Sequence, residues 1–310
     1  MSFTQEVKSE LSRVEPTCSH CERALLAALV RVEGTLGLAG KGAYRLEVST
    51  DVAESAKLVH TLVRKLYGLQ TQLSFRRSVL HSTLNYLIEV PNQPGLEGAL
   101  VDLGVLKPEG GLEMGIRPSI TEKLCCASAY VRGAFLGSGF VSNPHGEFHF
   151  EMTVENQQLA EDLVALMALK DINGRITQRR NAYVVYLKSG QGITDFLAFA
   201  GAHTCALAME EQRVIKSVRN DVNRSINAEV SNQRKASNAA VDQVFAIRRV
   251  LQEYGVDNLP PALQEVCRLR ARYPQATLKE LGEMANPPLS KSAVYHRIRR
   301  IEAMAEQLQE

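Results

Sequence analysis

The chain has 310 residues, 45% of them apolar, enough to bury a sizeable core and to build two or three domains. No apolar run approaches the roughly 20 residues that span a bilayer, and the opening Met1-Ser2-Phe3-Thr4-Gln5-Glu6-Val7-Lys8 lacks the basic-then-apolar order of a signal peptide, so a cytoplasmic protein away from membranes is expected. Six cysteines are too sparse for a disulfide scaffold and read as reduced thiols. Net charge is only +2, yet it is unevenly spread. From Arg213 onward 16 Lys plus Arg face 11 Asp plus Glu, a net of +5, while the preceding residues carry −3. A polyanionic partner is therefore expected at the C-terminal third.

A first helix opens at Ser2 or Thr4, where Thr4 offers a capping hydroxyl ahead of the amphipathic stretch Val7 to Leu11, and residues 1–20 form an N-terminal helical segment. An apolar helix then runs from Ala24 into Glu33-Gly34. Strands follow at Thr35 to Leu38 and Tyr44 to Ser49, joined by the turn signal Gly40-Lys41-Gly42. Ala56, Val59, Leu62, Val63 and Leu66 share one helical face, and Gly68 ends that helix. Strands at Thr71 to Phe75 and Leu84 to Val90 and a helix from Leu96 to Leu103 complete the unit.

The same order returns 105 residues later. A second apolar helix from Ala129 ends in Ser138-Gly139, so that Glu33 aligns with Ser138, Leu58 with Leu163, Val59 with Val164 and Leu62 with Met167. Strands fit Phe140 to Val141, Glu147 to Val154, Arg175 to Thr177 and Tyr183 to Leu187, with helices at Gln157 to Leu169 and Ile193 to Phe199. So long a period indicates a duplicated domain, with halves 21–105 and 120–205, because solenoid units are roughly 20 to 50 residues. Ala24, Ala27, Ala28 and Gly34 in one apolar helix, and Ala129, Gly133, Ala134, Gly137 and Gly139 in the other, permit a close helix crossing about a pseudo-twofold axis. The two four-stranded sheets are then expected to form one continuous saddle.

On these helices and this order of elements, Glu22 to Ala200 resembles the LAGLIDADG homing endonuclease fold, in which paired motif helices form the interface and the sheets straddle DNA. The resemblance implies an α+β fold over residues 21–205, with the last acidic residue of each motif holding a divalent metal at the scissile phosphates. Metal-assisted cleavage needs carboxylates around the ions, because hard cations prefer oxygen ligands. Glu33 is one such carboxylate, but Ser138 replaces the other and no Asp or Glu lies nearer to it in sequence than Glu147. Glu33 and Ser138 therefore read as degenerate nuclease positions, and no catalytic residue and no enzyme activity are expected. A metal-dependent endonuclease remains the alternative.

The basic third carries its own pattern. Leu259-Pro260-Pro261-Ala262 opens a helix running through Val266 and Leu269, and Thr277-x-x-Glu280 is a capping box for the next. Ser290 caps a third helix in which Val294, Ile298 and Ile301 form the buried stripe. Lys291, Ser292, Tyr295, His296 and Arg299 then face outward as a recognition helix for the major groove, with Arg297 and Arg300 at its flanks against phosphates. Residues 256–310 are thus expected to be an all-α helix-turn-helix domain on double-stranded DNA.

Between these parts, residues 206–255 look helical and unusually rich in Asn. Asn is a poor helix former, so the segment suits both a broken, solvated linker and a phosphate-contacting segment, with Asn223, Arg224, Asn227 and Lys235 as the candidate contacts.

Taken together, Ser2-Phe3 with Val7-Lys8 and Glu10-Leu11, Arg132-Gly133-Ala134-Phe135-Leu136, Asn223-Arg224 with Asn227, Asn232 and Lys235, Leu278-Lys279-Glu280-Leu281-Gly282, and Ser290-Lys291-Ser292 with His296-Arg297 resemble the WhiA family of bacterial sporulation and cell-division transcription regulators. The resemblance implies a degenerate LAGLIDADG-like domain joined to a helix-turn-helix, sequence-specific binding at promoters in the nucleoid, and a second transcription regulator as partner. A scaffold that recruits that regulator through the saddle is a further alternative, since the net −3 of the first two-thirds repels phosphates.

Two constellations invite a metal reading. Cys18-Ser19-His20-Cys21 has zinc-like spacing, but a closed site needs four ligands and usually a second spaced pair, whereas Cys125-Cys126 is adjacent. Because Cys21 aligns with Cys126, both read as small apolar residues at equivalent helix starts, and neither metal nor cofactor is expected. His145, Glu147, His149 and Glu151 alternate along an expected strand and read as its polar outer face. No glycine-rich phosphate loop or nucleophile triad is present.

Overall fold

The computed structural model describes residues 2–16, 18–38, 40, 43–77 and 84–308, and the chain divides into two compact units, Met1–Lys216 and Ser217–Glu310. Lys41 and Gly42 of the expected turn lie outside the described residues.

In the first unit, helix α1 (Phe3–Ser12) starts at Ser2, whose hydroxyl accepts from the Gln5 amide while the Gln5 side chain returns to the Ser2 amide. Thr4 is not the cap. Its hydroxyl donates to the Val141 carbonyl at 2.7 Å and accepts from the Val141 amide at 3.1 Å, a tie across 137 residues.

The first half then reads α2 (Ser19–Glu33), β1 (Gly34–Leu38), β2 (Tyr44–Thr50), α3 (Ala53–Tyr67), β3 (Gln72–Arg77), β4 (Leu84–Val90) and α4 (Leu96–Asp102). After the short helix α5 (Pro118–Thr121), the second half repeats it as α6 (Leu124–Ser138), β5 (Gly139–Val141), β6 (Phe150–Val154), α7 (Gln157–Ala168), β7 (Arg175–Arg179), β8 (Ala182–Leu187) and α8 (Gly190–Ala200). Both motif helices run straight into a strand, since Gly34 and Gly139 cap them in extended conformation.

The sheets are β1-β2-β4-β3 and β5-β6-β8-β7, antiparallel throughout. The two four-stranded sheets expected from sequence are both present, and among the described residues every strand pairing stays within one half. Each first strand continues its motif helix, so the α2–α6 crossing, rather than hydrogen bonding between β1 and β5, sets the halves side by side. That crossing is dry, with Ala24, Ala27, Ala28, Ala129 and Ala134 buried. In the second half Phe135, Phe150 and Phe196 fill the space between motif helix, sheet and α8, with centroids 4.5 to 5.7 Å apart.

The strand expected from Glu147 to Val154, with His145, Glu147, His149 and Glu151 on its polar outer face, is shorter. Strand β6 begins only at Phe150, so His145, Glu147 and His149 lie in the preceding loop, where Ser142 bonds both Glu147 and His149. Glu151 is already paired with Arg179 at 2.9 Å and His149 at 3.1 Å.

Of the two readings of the Asn-rich segment, the broken linker is not what the fold shows. Helix α9 runs from His203 to Tyr254, and the division between the two units falls inside it. Glu10 supplies the acceptor at its start, taking the Thr204 and Cys205 amides at 2.7 and 2.9 Å. In the second unit the last turns of α9 pack with α10 (Pro261–Arg272), α11 (Leu278–Glu283) and α12 (Lys291–Gln307) around Ile247, Val250, Leu263, Val266, Leu281, Val294, Ile298 and Ile301. The fold is α+β, a duplicated αββαββα unit followed by an all-α one.

Candidate nucleic-acid interface

Local chemistry fixes the helix-turn-helix. Thr277 and Glu280 close the capping box that starts α11, and the Ser290 hydroxyl accepts from the Ala293 amide at 3.2 Å to start α12. Between them the chain turns back on Gly282, whose carbonyl accepts from the Leu289 amide at 2.8 Å. A Cβ on Gly282 would sit 2.3 Å from the Leu289 carbonyl oxygen, so only glycine lets the turn approach so closely. Arg270, 2% exposed, braces the loop after α10 by donating to the Ala276 carbonyl at 2.5 Å.

Val294, Ile298 and Ile301 lie inward on α12, which leaves Lys291, Ser292, Tyr295, His296, Arg299 and Arg300 exposed. Lys291, Tyr295 and Arg299 follow one another at four-residue steps, and Tyr295 sits edge-on to His296 at 5.7 Å. Arg299 holds Glu302 at 3.1 Å on the exposed surface, a contact that costs little to exchange for a phosphate. Arg297 is half-buried and turns toward Glu265 of α10 at 3.8 Å, unlike the exposed Arg300.

Asn223, Arg224, Asn227 and Lys235 of α9 are all exposed and, at 3.6 residues per turn, fall on one face of it. Arg224 pairs locally with Asp221. Beside it runs a stripe of Val218, Val222, Ile226 and Val230, each more than half exposed. A helix with a polar face and an apolar stripe, neither of them covered, has surfaces left for partners.

At the end of the motif helices the two degenerate positions differ in chemistry. Ser138 uses its hydroxyl internally, accepting from the Thr153 amide at 3.1 Å. Glu33 shares its surroundings with Asp51 and with Lys8, which reaches in from α1 and donates to the Gly137 carbonyl at 3.2 Å. Burial lowers the Lys8 ammonium, opposed by Asp51 and Glu33. Burial pushes the Glu33 carboxyl up to about 7, against the pull of Lys8 and Thr50, and one of its oxygens is buried without a partner. A buried ammonium beside a readily protonated carboxyl is a poor place for a divalent ion.

Three family models match in chain order: the WhiA N-terminal LAGLIDADG-like domain at residues 19–106, the WhiA LAGLIDADG-like domain at 127–219 and the WhiA C-terminal HTH domain at 222–305. The chain belongs to the WhiA family. It is 41% identical over 310 residues to the "Probable cell division protein WhiA" of Desulforamulus reducens, covering 99% of this chain and 96% of that protein. The protein of the same name from Heliobacterium modesticaldum is 40% identical over 307 residues. The crystal structure of a full-length DUF199/WhiA from Thermatoga maritima shares the fold, with TM-score 0.59, 23% identity and 99% of each chain covered.

Within this WhiA frame, Glu33 yields a pH prediction. The folded chain keeps its proton more tightly than an unfolded one, so the contribution of the protonated carboxyl is complete below the ordinary value of 4.5 and is lost as pH rises through about 7. Glu33→Gln cannot ionise, and is expected to match the parent near about pH 4 and to exceed its stability by about 1–3 kcal/mol near about pH 8. Urea titrations at the two pH values check this, and an equal difference at both would contradict it.

Two features escaped the sequence reading. Lys8 belongs in the sequence to an amphipathic helix and to the Val7-Lys8 family match, and neither places it beside Glu33. By spacing the Cys-x-x-Cys pair and the adjacent pair stand apart, yet the duplication places them together: one atom each of Cys18, His20, Cys21 and Cys125 lies within 4.8 Å of the others. Cys126 joins them, 3.0 Å from His20 Nδ1.

Proposed function

We propose that this chain is a sequence-specific transcription regulator that binds double-stranded promoter DNA mainly through the helix-turn-helix of residues 256–310, controls cell-division and sporulation genes, and works in the cytoplasm at the nucleoid. The observation that carries the reading is the outward face of α12, where Lys291, Ser292, Tyr295, His296 and Arg299 stand exposed on a helix whose inner stripe is buried. Such a helix presents donors to base edges, while Arg300 and the α9 residues Asn223, Arg224, Asn227 and Lys235 suit phosphates. The relatives named as cell division proteins support the cellular setting. The frame of residues 21–205 acts without cleavage in this reading, since Ser138 supplies no carboxylate and Lys8 places an ammonium beside Glu33. A second regulator, if bound, has the exposed apolar face of α9 available.

The test is genome-wide occupancy of the parent beside a Lys291→Ala, Arg299→Ala variant, with a magnesium-dependent cleavage assay on every enriched site. Promoter peaks that vanish in the variant, without cutting, are expected. Peaks that persist would move recognition off α12, and cutting abolished by Glu33→Ala would restore the nuclease.

A further inference from the structure

The cluster at the starts of α2 and α6 is the densest set of soft ligands in the described chain. Cys18 caps α2, with His20 and Cys21 in its first turn, and Cys125 and Cys126 open α6. Cys18 Sγ lies 3.0 Å from Cys21 Sγ and 3.2 Å from His20 Nδ1. Cys21 and Cys126 are buried, Cys18 and His20 half-buried, and Cys125 exposed, so the cluster has an entry side. Packing alone does not call for five soft donors in one place, where aliphatic residues would fill the space as well.

We propose that the paired N-termini of α2 and α6 form a structural zinc site, with Cys18, Cys21 and Cys125 thiolates and His20 Nδ1 as the four ligands. Tetrahedral zinc with Zn–S bonds of about 2.3 Å sets sulfur atoms about 3.8 Å apart, so Cys18 and Cys21, 3.0 Å apart, separate by under about 1 Å to admit the ion. Binding forms three Zn–S bonds and one Zn–N bond and releases three thiol protons to water. Three thiolates and a neutral imidazole leave the filled site with one net negative charge, which the N-terminal ends of both helices favour. The ligands come from both halves of the duplication, so the ion clips the motif helices together at the end opposite Glu33 and Ser138. Its role is to hold the crossing, not to cleave DNA, and it stands independently of the promoter-binding reading.

The experiment is metal analysis of the full chain, purified under reducing conditions without a metal-affinity column. About one zinc per chain is expected, falling at least about tenfold in both Cys18→Ser, Cys21→Ser and Cys125→Ser, Cys126→Ser. Should these variants fail to fold, the parent still decides the matter: after chelation, cobalt(II) should produce the visible bands of tetrahedral thiolate ligation. Removing the metal should lower the unfolding midpoint of the N-terminal unit by about 5–10 °C. A reduced, folded parent that holds no zinc and gives no thiolate bands with cobalt overturns the proposal, as does zinc retained in full by both variants.

Discussion

Changing Lys291 and Arg299 together to alanine is expected to weaken binding of the full chain to a promoter site by at least about a hundredfold, with the helical content unchanged. Each lost contact to a base edge or phosphate removes about 1–3 kcal/mol, and the two sit eight residues apart on one face, about 12 Å along the axis, a span that matches the width of the major groove. Arg299 gives up only its exposed contact with Glu302 to bind, which costs little. Neither substitution touches Val294, Ile298 or Ile301, so the helix should stay docked. Fluorescence anisotropy across a salt series checks both parts, since loss of two charged contacts should also flatten the dependence of log affinity on log salt by about two. Unchanged affinity would transfer recognition to α9 or to the duplicated unit.

The elements that could be read from the sequence are those whose signals are local. Helical spacing, caps such as Ser290 and Thr277, and the repeat of one element order at an offset of 105 residues all depend on neighbours in the chain, and each has its counterpart in the fold. What could not be read depends on contacts far along the chain. Thr4 looks like a cap until Val141 takes its hydroxyl. Lys8 looks like a surface charge until α1 lays it beside Glu33 and Gly137. Cys125 and Cys126 look too close together for a ligand pair until the helix crossing brings them to Cys18 and Cys21. Asn propensity leaves a broken linker and a continuous contacting segment equally open, yet one exposed helix runs through all of these positions, and the inward turns around Ile247 and Val250 anchor its end. Half of a duplicated site is therefore legible only as a pattern, because its geometry is made by the other half.

The same dependence makes the helix crossing the most sensitive point of the fold. A Cβ added to Gly133 would lie 2.6 Å from the Leu25 carbonyl oxygen and 2.8 Å from the Ala28 Cβ, so α2 and α6 would have to move apart along their whole contact. Gly133→Ala is expected to cost about 1–3 kcal/mol, and Gly133→Leu more than about 4 kcal/mol, enough to unfold the N-terminal unit. Gly98 in α4 is the matched control, since a Cβ there meets nothing within 4 Å and Gly98→Ala should be neutral or stabilise by up to about 1 kcal/mol through helix propensity. Urea unfolding of the three variants, followed by far-ultraviolet circular dichroism, should give the order Gly98→Ala, then Gly133→Ala, then Gly133→Leu. If Gly133→Leu unfolded like the parent, the close crossing would not be what holds the two halves. If it unfolded while the second unit kept its own transition, the duplicated frame and the helix-turn-helix would be energetically separate, and a chain with a ruined frame should still bind DNA through α12.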